Sequence, residues 1–441
     1  MRVLEPNTVT ILTTNKCTAV CRHCATNSGP NRKDMLTWDK LEPILRQLFA
    51  ETKLSVIVFS GGESTLLGED LLKALRLCKE HKIITRLVTN VFWATSPEAA
   101  EAKLKELREA GLNELNISTD DYHLPYISLQ KVRYAFDAAR KLDFMTVALC
   151  NAYGPESWLT PERINQEFGN GGQMAHRYDA NGRAMVHERK QGETLVLLSN
   201  GLSMKLGRGK EGIEESEVVG TTLAQLYEFA EGIGGCPWAL RSSTVSSKGH
   251  YVACCGFEVE DNPILDYGDL AKQPLSELLD RADNDLITNM ISIYGPVTLM
   301  KILKEIAPDE VSFPRPSYRG YCEVCEDLVG IKQNREALYK YQGMFVDSIL
   351  AVREGFTKAY TKDGRVQIPP GTSMRLEVKY NKAGEKLEAQ KPITVEDVHA
   401  ASGLSPVKPR SEEPLKDLPP PTQPQGKLSL PVLQEPGSRC G

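Results

Sequence analysis

Three cysteines near the start of the chain have a spacing that suits a single metal centre. Cys17, Cys21 and Cys24 form a C-x3-C-x2-C pattern. Iron–sulfur clusters are held mainly by such thiolates, normally four per cubane, so three would leave one iron open to chemistry. A structural zinc site normally uses paired C-x2-C elements and fills all four positions. We therefore interpret the pattern as a catalytic iron–sulfur site.

Polar and glycine residues follow several predicted strands. Gly61, Gly62 and Glu63 come directly after an apolar run at 54–60. Two glycines let the backbone approach a ligand closely, and Glu63 offers a carboxylate beside that approach. Later strand ends carry Asn90, Ser118 and Asp120. Helix capping and turn formation are the alternative roles for Ser118 and Asp120.

The first 150 residues alternate between strand and helix patterns. Strands are predicted at 9–13, 54–60, 83–90, 114–119 and 145–151, and helices at 38–51, 69–81, 97–110 and 129–142. Pro97 and Gly111 predict the start and the end of the third helix. This alternation predicts a parallel sheet with right-handed crossovers, whose carboxyl ends carry the chemistry. The pattern alone does not separate a barrel from an open doubly wound sheet.

The cysteine spacing after a short first strand, with Gly-Gly-Glu at the end of the second strand, resembles the radical S-adenosylmethionine (radical SAM) superfamily. The resemblance implies an α/β fold, a partial (β/α)6 TIM-like barrel of parallel strands. It also implies a catalytic [4Fe-4S] cluster on Cys17, Cys21 and Cys24 whose open iron binds SAM. Electron transfer from the cluster then cleaves SAM to a 5′-deoxyadenosyl radical, with an electron donor such as flavodoxin or ferredoxin as partner.

The same resemblance assigns residues to SAM. The Gly-Gly-Glu motif matches the segment that binds the SAM amino group, and His23 matches a position that packs on the adenine. A surface-loop histidine is the alternative for His23. Arg208 lies in a stretch, 204–210, that resembles a Gly-Arg segment contacting SAM or a substrate carboxylate; a solvated basic loop is its alternative. The full predicted set is His23, Gly61, Gly62, Glu63, Asn90, Ser118, Asp120 and Arg208.

A second cysteine set comprises Cys236, Cys254, Cys322 and Cys325. Four thiolates can complete a closed cubane, and structural zinc in the same site is the alternative. Cys255 is a rival for Cys254, because neighbours on an extended chain point opposite ways. The layout resembles the auxiliary-cluster domains called SPASM and Twitch. Because the next cysteine is Cys440, the resemblance implies one auxiliary [4Fe-4S] cluster, as in Twitch domains.

These patterns predict four regions along the chain. They are a core at 1–215 with an insertion at about 154–192, an auxiliary-cluster domain at 222–343, a helix and possible hairpin at 344–400, and a proline-rich disordered tail at 401–441.

Composition indicates which partners and which cellular compartment to expect for the protein. The 441 residues carry a net charge of −5, which argues against a general nucleic-acid binder. The sequence has neither a signal-peptide pattern at its start nor an apolar run long enough to span a membrane. Eleven cysteines without a secretion signal suggest metal or redox use in a reducing cytoplasm. We expect a cytoplasmic protein without nucleic-acid or membrane partners.

The leading hypothesis is a radical SAM enzyme that abstracts a hydrogen atom from its substrate and modifies a peptide. Dehydrogenation of a small hydroxylated, aminocyclitol-like metabolite is the alternative within the same chemistry. A non-catalytic scaffold stabilised by metal is the alternative of another class, since structural metals stabilise folds directly.

Overall fold

The structure is a computed structural model that describes residues 5–169, 173–177, 185, 187, 192–236, 238–254 and 259–353. The predicted hairpin, the predicted disordered tail and Cys255 lie outside the described residues.

The described part contains ten strands and twelve α-helices. The strands are β1 (Thr8–Thr14), β2 (Val56–Gly61), β3 (Ile84–Thr89), β4 (Glu114–Ser118), β5 (Thr146–Tyr153), β6 (Ala175–His176), β7 (Leu195–Leu202), β8 (Ser242–Val245), β9 (His250–Val252) and β10 (Asp266–Asp269). The helices are α1 (Trp38–Glu51), α2 (Glu69–Glu80), α3 (Pro97–Ala110), α4 (Leu129–Ala139), α5 (Pro161–Phe168), α6 (Gly209–Gly212), α7 (Leu223–Ile233), α8 (Leu275–Asn284), α9 (Leu286–Tyr294), α10 (Pro296–Ile306), α11 (Tyr321–Gly330) and α12 (Lys332–Tyr341). The five predicted strands and four predicted helices are all present, with ends shifted by a few residues.

All ten strands belong to one sheet, in the order β10-β9-β8-β1-β2-β3-β4-β5-β7-β6. Strands β1 to β5 and β7 are parallel and follow one another in chain order. A doubly wound sheet reverses its direction of growth, whereas successive right-handed crossovers in one direction place the helices on one face. The predicted partial (β/α)6 barrel is therefore confirmed, and it is this sequential strand order that distinguishes it from a doubly wound sheet.

The second cysteine region extends the same sheet. Strand β8 pairs in parallel with β1, placing Thr8 opposite Ser242, and β9 and β10 continue antiparallel. Strand β9 ends at Val252, two residues before Cys254. The pairing therefore brings this part of the chain beside the strand that leads into the first cysteine loop.

Two faces of the parallel strands have different partners. Val9 and Ile11 of β1, Ile117 of β4 and Leu149 of β5 are buried against the helices in the main core. The alternate positions, including Thr10, Ser118 and Cys150, line a cavity. This period of two puts polar side chains on the face away from the helices.

A separate apolar cluster joins the C-terminal helices to a loop after β7. It contains Met204 and Leu206 together with Leu299, Leu328 and Leu338. Within the described ranges, no single helix is long and apolar enough to cross a membrane, although the bent pair α9 and α10, at 105°, passes that test jointly by length and composition.

Helix α3 shows how local sequence sets an element's ends. Ser96 precedes it, and the Ser96 hydroxyl accepts a hydrogen bond of 3.2 Å from the Ala99 amide. Pro97 occupies the first turn, and Gly111 ends the helix with φ of 126°. Both predicted end signals are confirmed, because proline suits the first turn and glycine suits this positive φ.

Replacing the capping hydroxyl tests this account. Ser96→Ala should lower the free energy of unfolding by about 1 kcal/mol, because the Ala99 amide loses its acceptor. Ser128→Ala is the matched control, since Ser128 precedes α4 without a side-chain cap bond. Urea unfolding curves measure both; equal losses in the two variants would contradict the assigned cap.

Candidate functional site

The three N-terminal cysteines share one cavity. Cys17, Cys21 and Cys24 lie on the loop between β1 and α1 and line a cavity of about 200 Å³. That volume exceeds the space for one water more than tenfold, so the cavity is of ligand size. Burial raises the pKa of Cys17 to about 11, and the nearby Glu63, Cys21 and Cys24 act in the same direction. The thiols are therefore close enough to influence one another's ionisation.

Gly61, the last residue of β2, and Gly62 pack directly on the start of this loop. The Gly62 amide donates to the Thr14 carbonyl at 2.6 Å, and the Glu63 amide donates to the Lys16 carbonyl at 2.9 Å. A Cβ at Gly61 would lie 2.3 Å from the Thr14 oxygen, and one at Gly62 would lie 2.2 Å from the Lys16 oxygen. The sequence interpretation explained the glycines by ligand approach. They line the cavity as well, but the tightest approach is to the backbone of the cysteine loop.

Glu63 is fully buried and its carboxylate holds the end of β3. It accepts hydrogen bonds from the Thr65 amide and hydroxyl at 3.2 and 2.6 Å, from the Thr89 hydroxyl at 2.9 Å and from the Asn90 amide at 2.9 Å. Burial raises the pKa of Glu63, and these hydrogen bonds oppose the rise. Its predicted contact with the SAM amino group stays a prediction.

Asn90 links β3 to the cysteine loop. Its side-chain amide donates to the Thr18 hydroxyl at 3.1 Å and lies 3.6 Å from the Cys17 sulfur. Its own side-chain oxygen accepts from the Phe92 amide at 3.0 Å. The predicted residue therefore lies at the cysteines.

Asp120 lies between two histidines. The carboxylate is buried, contacts His123 Nδ1 at 2.8 Å and lies 3.6 Å from His23 Nε2. Burial alone would raise the pKa of Asp120, but the charges of His123 and His23 and the hydrogen bonds from His123 hold it at about 2. Although burial opposes it, Asp120 raises the pKa of His123 well above its usual value, and a hydrogen bond to Cys21 adds to that effect. The pair lies next to the thiols, since His123 hydrogen-bonds Cys21 as well as Asp120.

His23 is not a solvated loop residue. Its side chain is 13% exposed, and its ring stacks on Tyr122 with the ring centres 4.6 Å apart. His23, Ser118 and Asp120 all line the cavity. Packing of His23 on an adenine stays a prediction.

Arg208 binds the cysteine loop through its carbonyls. Its guanidinium donates to the Cys21 carbonyl at 2.9 Å and to the Ser28 carbonyl at 2.5 Å, and its amide donates to the Cys24 carbonyl at 3.0 Å. The alternative of a solvated basic loop does not describe these contacts. Contact with SAM or a substrate carboxylate stays a prediction.

The second cysteine set also comes together. Cys236, Cys254, Cys322 and Cys325 all pack in the apolar cluster around Leu328. Burial raises the pKa of Cys325 well above the usual value, and the thiols of Cys254, Cys236 and Cys322 add to the rise. Helix α11 places Cys322 and Cys325 one turn apart.

Sequence reasoning missed Cys150 as a cavity residue. It lies on β5 opposite Ser118 of β4 and Ser199 of β7, and it lines the cavity. Burial raises the pKa of this thiol. The alternation of side chains along β5 could have identified it. Val147 and Leu149 face the apolar core, so Cys150 lies on the opposite face of the sheet.

Comparison with known proteins identifies the N-terminal part. The radical SAM superfamily model matches residues 11–168, which contain the three cysteines and the Gly-Gly-Glu motif. This part of the chain is a radical SAM domain. Radical SAM domains hold a [4Fe-4S] cluster and SAM.

One similar curated protein is the putative peptide biosynthesis protein YydG of Bacillus subtilis (strain 168). It is 24% identical over 142 residues, which are 32% of this chain and 44% of YydG. The chain therefore spans less than half the length of that relative.

Solved structures with a similar fold include BtrN in complex with AdoMet and 2-DOIA, at 14% identity over 66% of this chain and 89% of BtrN, with a TM-score of 0.37. Streptococcus suis SuiB bound to the precursor peptide SuiA is 16% identical over 62% of this chain and 64% of SuiB, with a TM-score of 0.35. Native anSMEcpe with bound AdoMet and Cp18Cys peptide is 11% identical over 80% of this chain and 100% of anSMEcpe, with a TM-score of 0.42.

Gly62→Ala tests the packing of β2 on the cysteine loop. The added methyl would meet the Lys16 carbonyl, so the loop must shift, with an expected loss of about 1–3 kcal/mol in unfolding free energy. Iron per chain after anaerobic purification should fall with it, because Cys17 follows Lys16.

Gly220→Ala is the matched control, since a Cβ there would meet no described atom within 4 Å. A Gly62→Ala protein that retains wild-type iron and stability would show that the close approach is not required.

Proposed function

We propose that this protein is a radical SAM enzyme that modifies a peptide. The observation that carries the proposal is the meeting of Cys17, Cys21 and Cys24 in one cavity with polar residues from the carboxyl ends of the parallel strands. Chemistry in sheets of this kind is placed at those strand ends.

The donor set fits a [4Fe-4S] cluster. Three soft thiols from one loop line the same cavity, and thiolates are the main protein ligands of iron–sulfur clusters. Binding of a metal would release the thiol protons. When bound, the cluster and SAM supply the electron transfer and the 5′-deoxyadenosyl radical that takes a hydrogen atom from the substrate. Cys17, Cys21 and Cys24 would hold the cluster.

The other cavity residues would bind and orient SAM and the substrate. Gly61 and Gly62 line the cavity with backbone, and Ser118 and Asp120 line it with side chains that can form hydrogen bonds. Leu12, Val88 and Ala152 line the same space with apolar surface and restrict water. A reactive radical needs such restriction, because excluded water prevents side reactions.

We further assign a second [4Fe-4S] cluster to Cys236, Cys254, Cys322 and Cys325. The thiols of Cys254, Cys236 and Cys322 all contribute to the raised pKa of Cys325, which supports a common centre. A polynuclear cluster or a zinc ion both need four converging thiolates, so metal analysis decides between them.

Two observations favour a peptide as substrate. YydG, which is 24% identical over 142 residues, is described as a putative peptide biosynthesis protein. Val20, Tyr126 and Trp158 are large apolar side chains exposed on loops at the carboxyl edge of the sheet, and such surface suits peptide side chains. A cytoplasmic setting with a flavodoxin or ferredoxin as reductant completes the proposal.

Release of 5′-deoxyadenosine tests the activity. Protein that is reconstituted anaerobically and reduced with dithionite should cleave SAM, and Cys24→Ala should abolish release because one cluster ligand is lost. Chromatography of the nucleoside product measures the outcome, and peptide mass spectrometry in deuterated water reads substrate change.

Cys78→Ala is the matched control, because Cys78 is a fully buried thiol in the main core and not in the cavity. Release by Cys24→Ala at the wild-type level would refute the assignment.

Metal content tests the second cluster. The wild-type protein should hold roughly eight irons per chain, and Cys322→Ala should hold roughly four while still cleaving SAM. Iron, sulfide and zinc are measured together on anaerobic protein. If the wild type holds roughly four irons and one zinc, the four cysteines bind a structural zinc ion and the second cluster does not exist.

A further inference from the structure

A segment comprising residues 204–212, here called the bridge segment, lies between the two cysteine sites. On one side its Arg208 donates to the Cys21, Cys24 and Ser28 carbonyls. Arg22 of the same loop returns a bond of 2.8 Å to the Gly212 carbonyl. The first cysteine loop is thus held by the bridge segment at several points.

On its other side, the bridge segment is held by α11, the helix that carries Cys322 and Cys325. Glu323 lies between these cysteines and is fully buried. Its carboxylate accepts from the Lys205 amide at 2.6 Å and from the Arg319 amide at 2.9 Å.

A second contact holds the backbone of the same residue, Lys205. Arg315 donates to the Lys205 carbonyl at 2.7 Å, and its guanidinium also binds Asp327 of α11 at 3.1 Å. Lys210 reaches Glu326 of α11 at 3.0 Å. Met204 and Leu206 pack in the apolar cluster that contains Cys325. The bridge segment is therefore anchored on α11 by backbone, charge and apolar contacts.

We propose that Glu323 is a positioning residue that couples the two cysteine sites through the bridge segment. Loss of its bonds to Lys205 and Arg319 loosens the bridge segment, which loosens the Arg208 contacts and the loop of Cys17, Cys21 and Cys24. Order at the first site then depends on α11. The consequence for bound SAM rests on the proposed function; the consequence for the loop does not.

Glu323→Gln is the test, on full-length protein purified anaerobically. The glutamine amide keeps the shape of the side chain, but its N–H₂ group faces one of the two backbone N–H donors and cannot accept from it. Loss of a hydrogen bond to a charged group corresponds to about a tenfold change in the equilibrium between the closed and the opened loop. Trypsin should therefore cut after Arg22, whose side chain is 55% exposed, about tenfold faster than in the wild type. Mass spectrometry of the fragments gives the rate.

A second readout follows SAM directly. In the reduced wild type, SAM should change the electron paramagnetic resonance spectrum of the first cluster, and Glu323→Gln should need about tenfold more SAM for the same change. If the wild type shows no SAM-dependent change, the proposed function fails, whereas the trypsin comparison still decides the role of Glu323.

Arg315→Lys should give the same direction of change, since it removes the fork that holds the Lys205 carbonyl. Glu336→Gln is the control, because Glu336 forms a solvent-exposed ion pair of 3.6 Å with Lys332, away from the bridge segment. Cleavage after Arg22 at the wild-type rate in Glu323→Gln overturns the proposal. Equal acceleration in Glu323→Gln and Glu336→Gln overturns it too, because the effect is then general.

Discussion

The loop that carries Cys17, Cys21 and Cys24 is held through its backbone carbonyls. The Thr14 and Lys16 carbonyls accept from the amides after β2, and the Cys21, Cys24 and Ser28 carbonyls accept from Arg208. Buried carbonyls must find donors in any case, so these bonds satisfy the backbone and shape the site together.

The donors come from distant parts of the chain. The β2 end supplies two amides because glycine permits the close approach, and the loop after β7 supplies a guanidinium with a fixed fork of N–H groups. The sheet places these parts: β1 pairs in parallel with β2, and β7 pairs in parallel with β5. The geometry of the cysteines is therefore a property of the whole sheet.

The ionisable groups around the cavity also come from several elements of the fold. Burial raises the pKa of Cys17, and the nearby Glu63, Cys21 and Cys24 add to the rise. Asp120 contacts His123 at 2.8 Å and lies 3.6 Å from His23 of the cysteine loop. Thiolates with bound iron form an anionic centre, and nearby positive groups and hydrogen bonds to sulfur are among the means by which proteins tune such centres.

The sequence determined the local features by itself. Periodicity and end signals located the five strands and four helices, and the cysteine spacing with Gly-Gly-Glu pointed to the radical SAM domain. The alternation of residues along β5 also indicates that Cys150 faces the cavity. These properties depend on neighbours within a few residues, which a sequence displays directly.

Tertiary structure decided the partners of those residues. Glu63 and Arg208 look like ligand-binding groups in the sequence, yet their described bonds are to Thr65, Thr89 and Asn90 and to the cysteine loop. These contacts join residues that are far apart along the chain: Cys21 and Arg208 are 187 positions apart, and Lys205 and Glu323 are 118 apart. Only the packed sheet and helices bring such residues within hydrogen-bonding range, because the range of a hydrogen bond is about 3 Å whatever the separation along the chain.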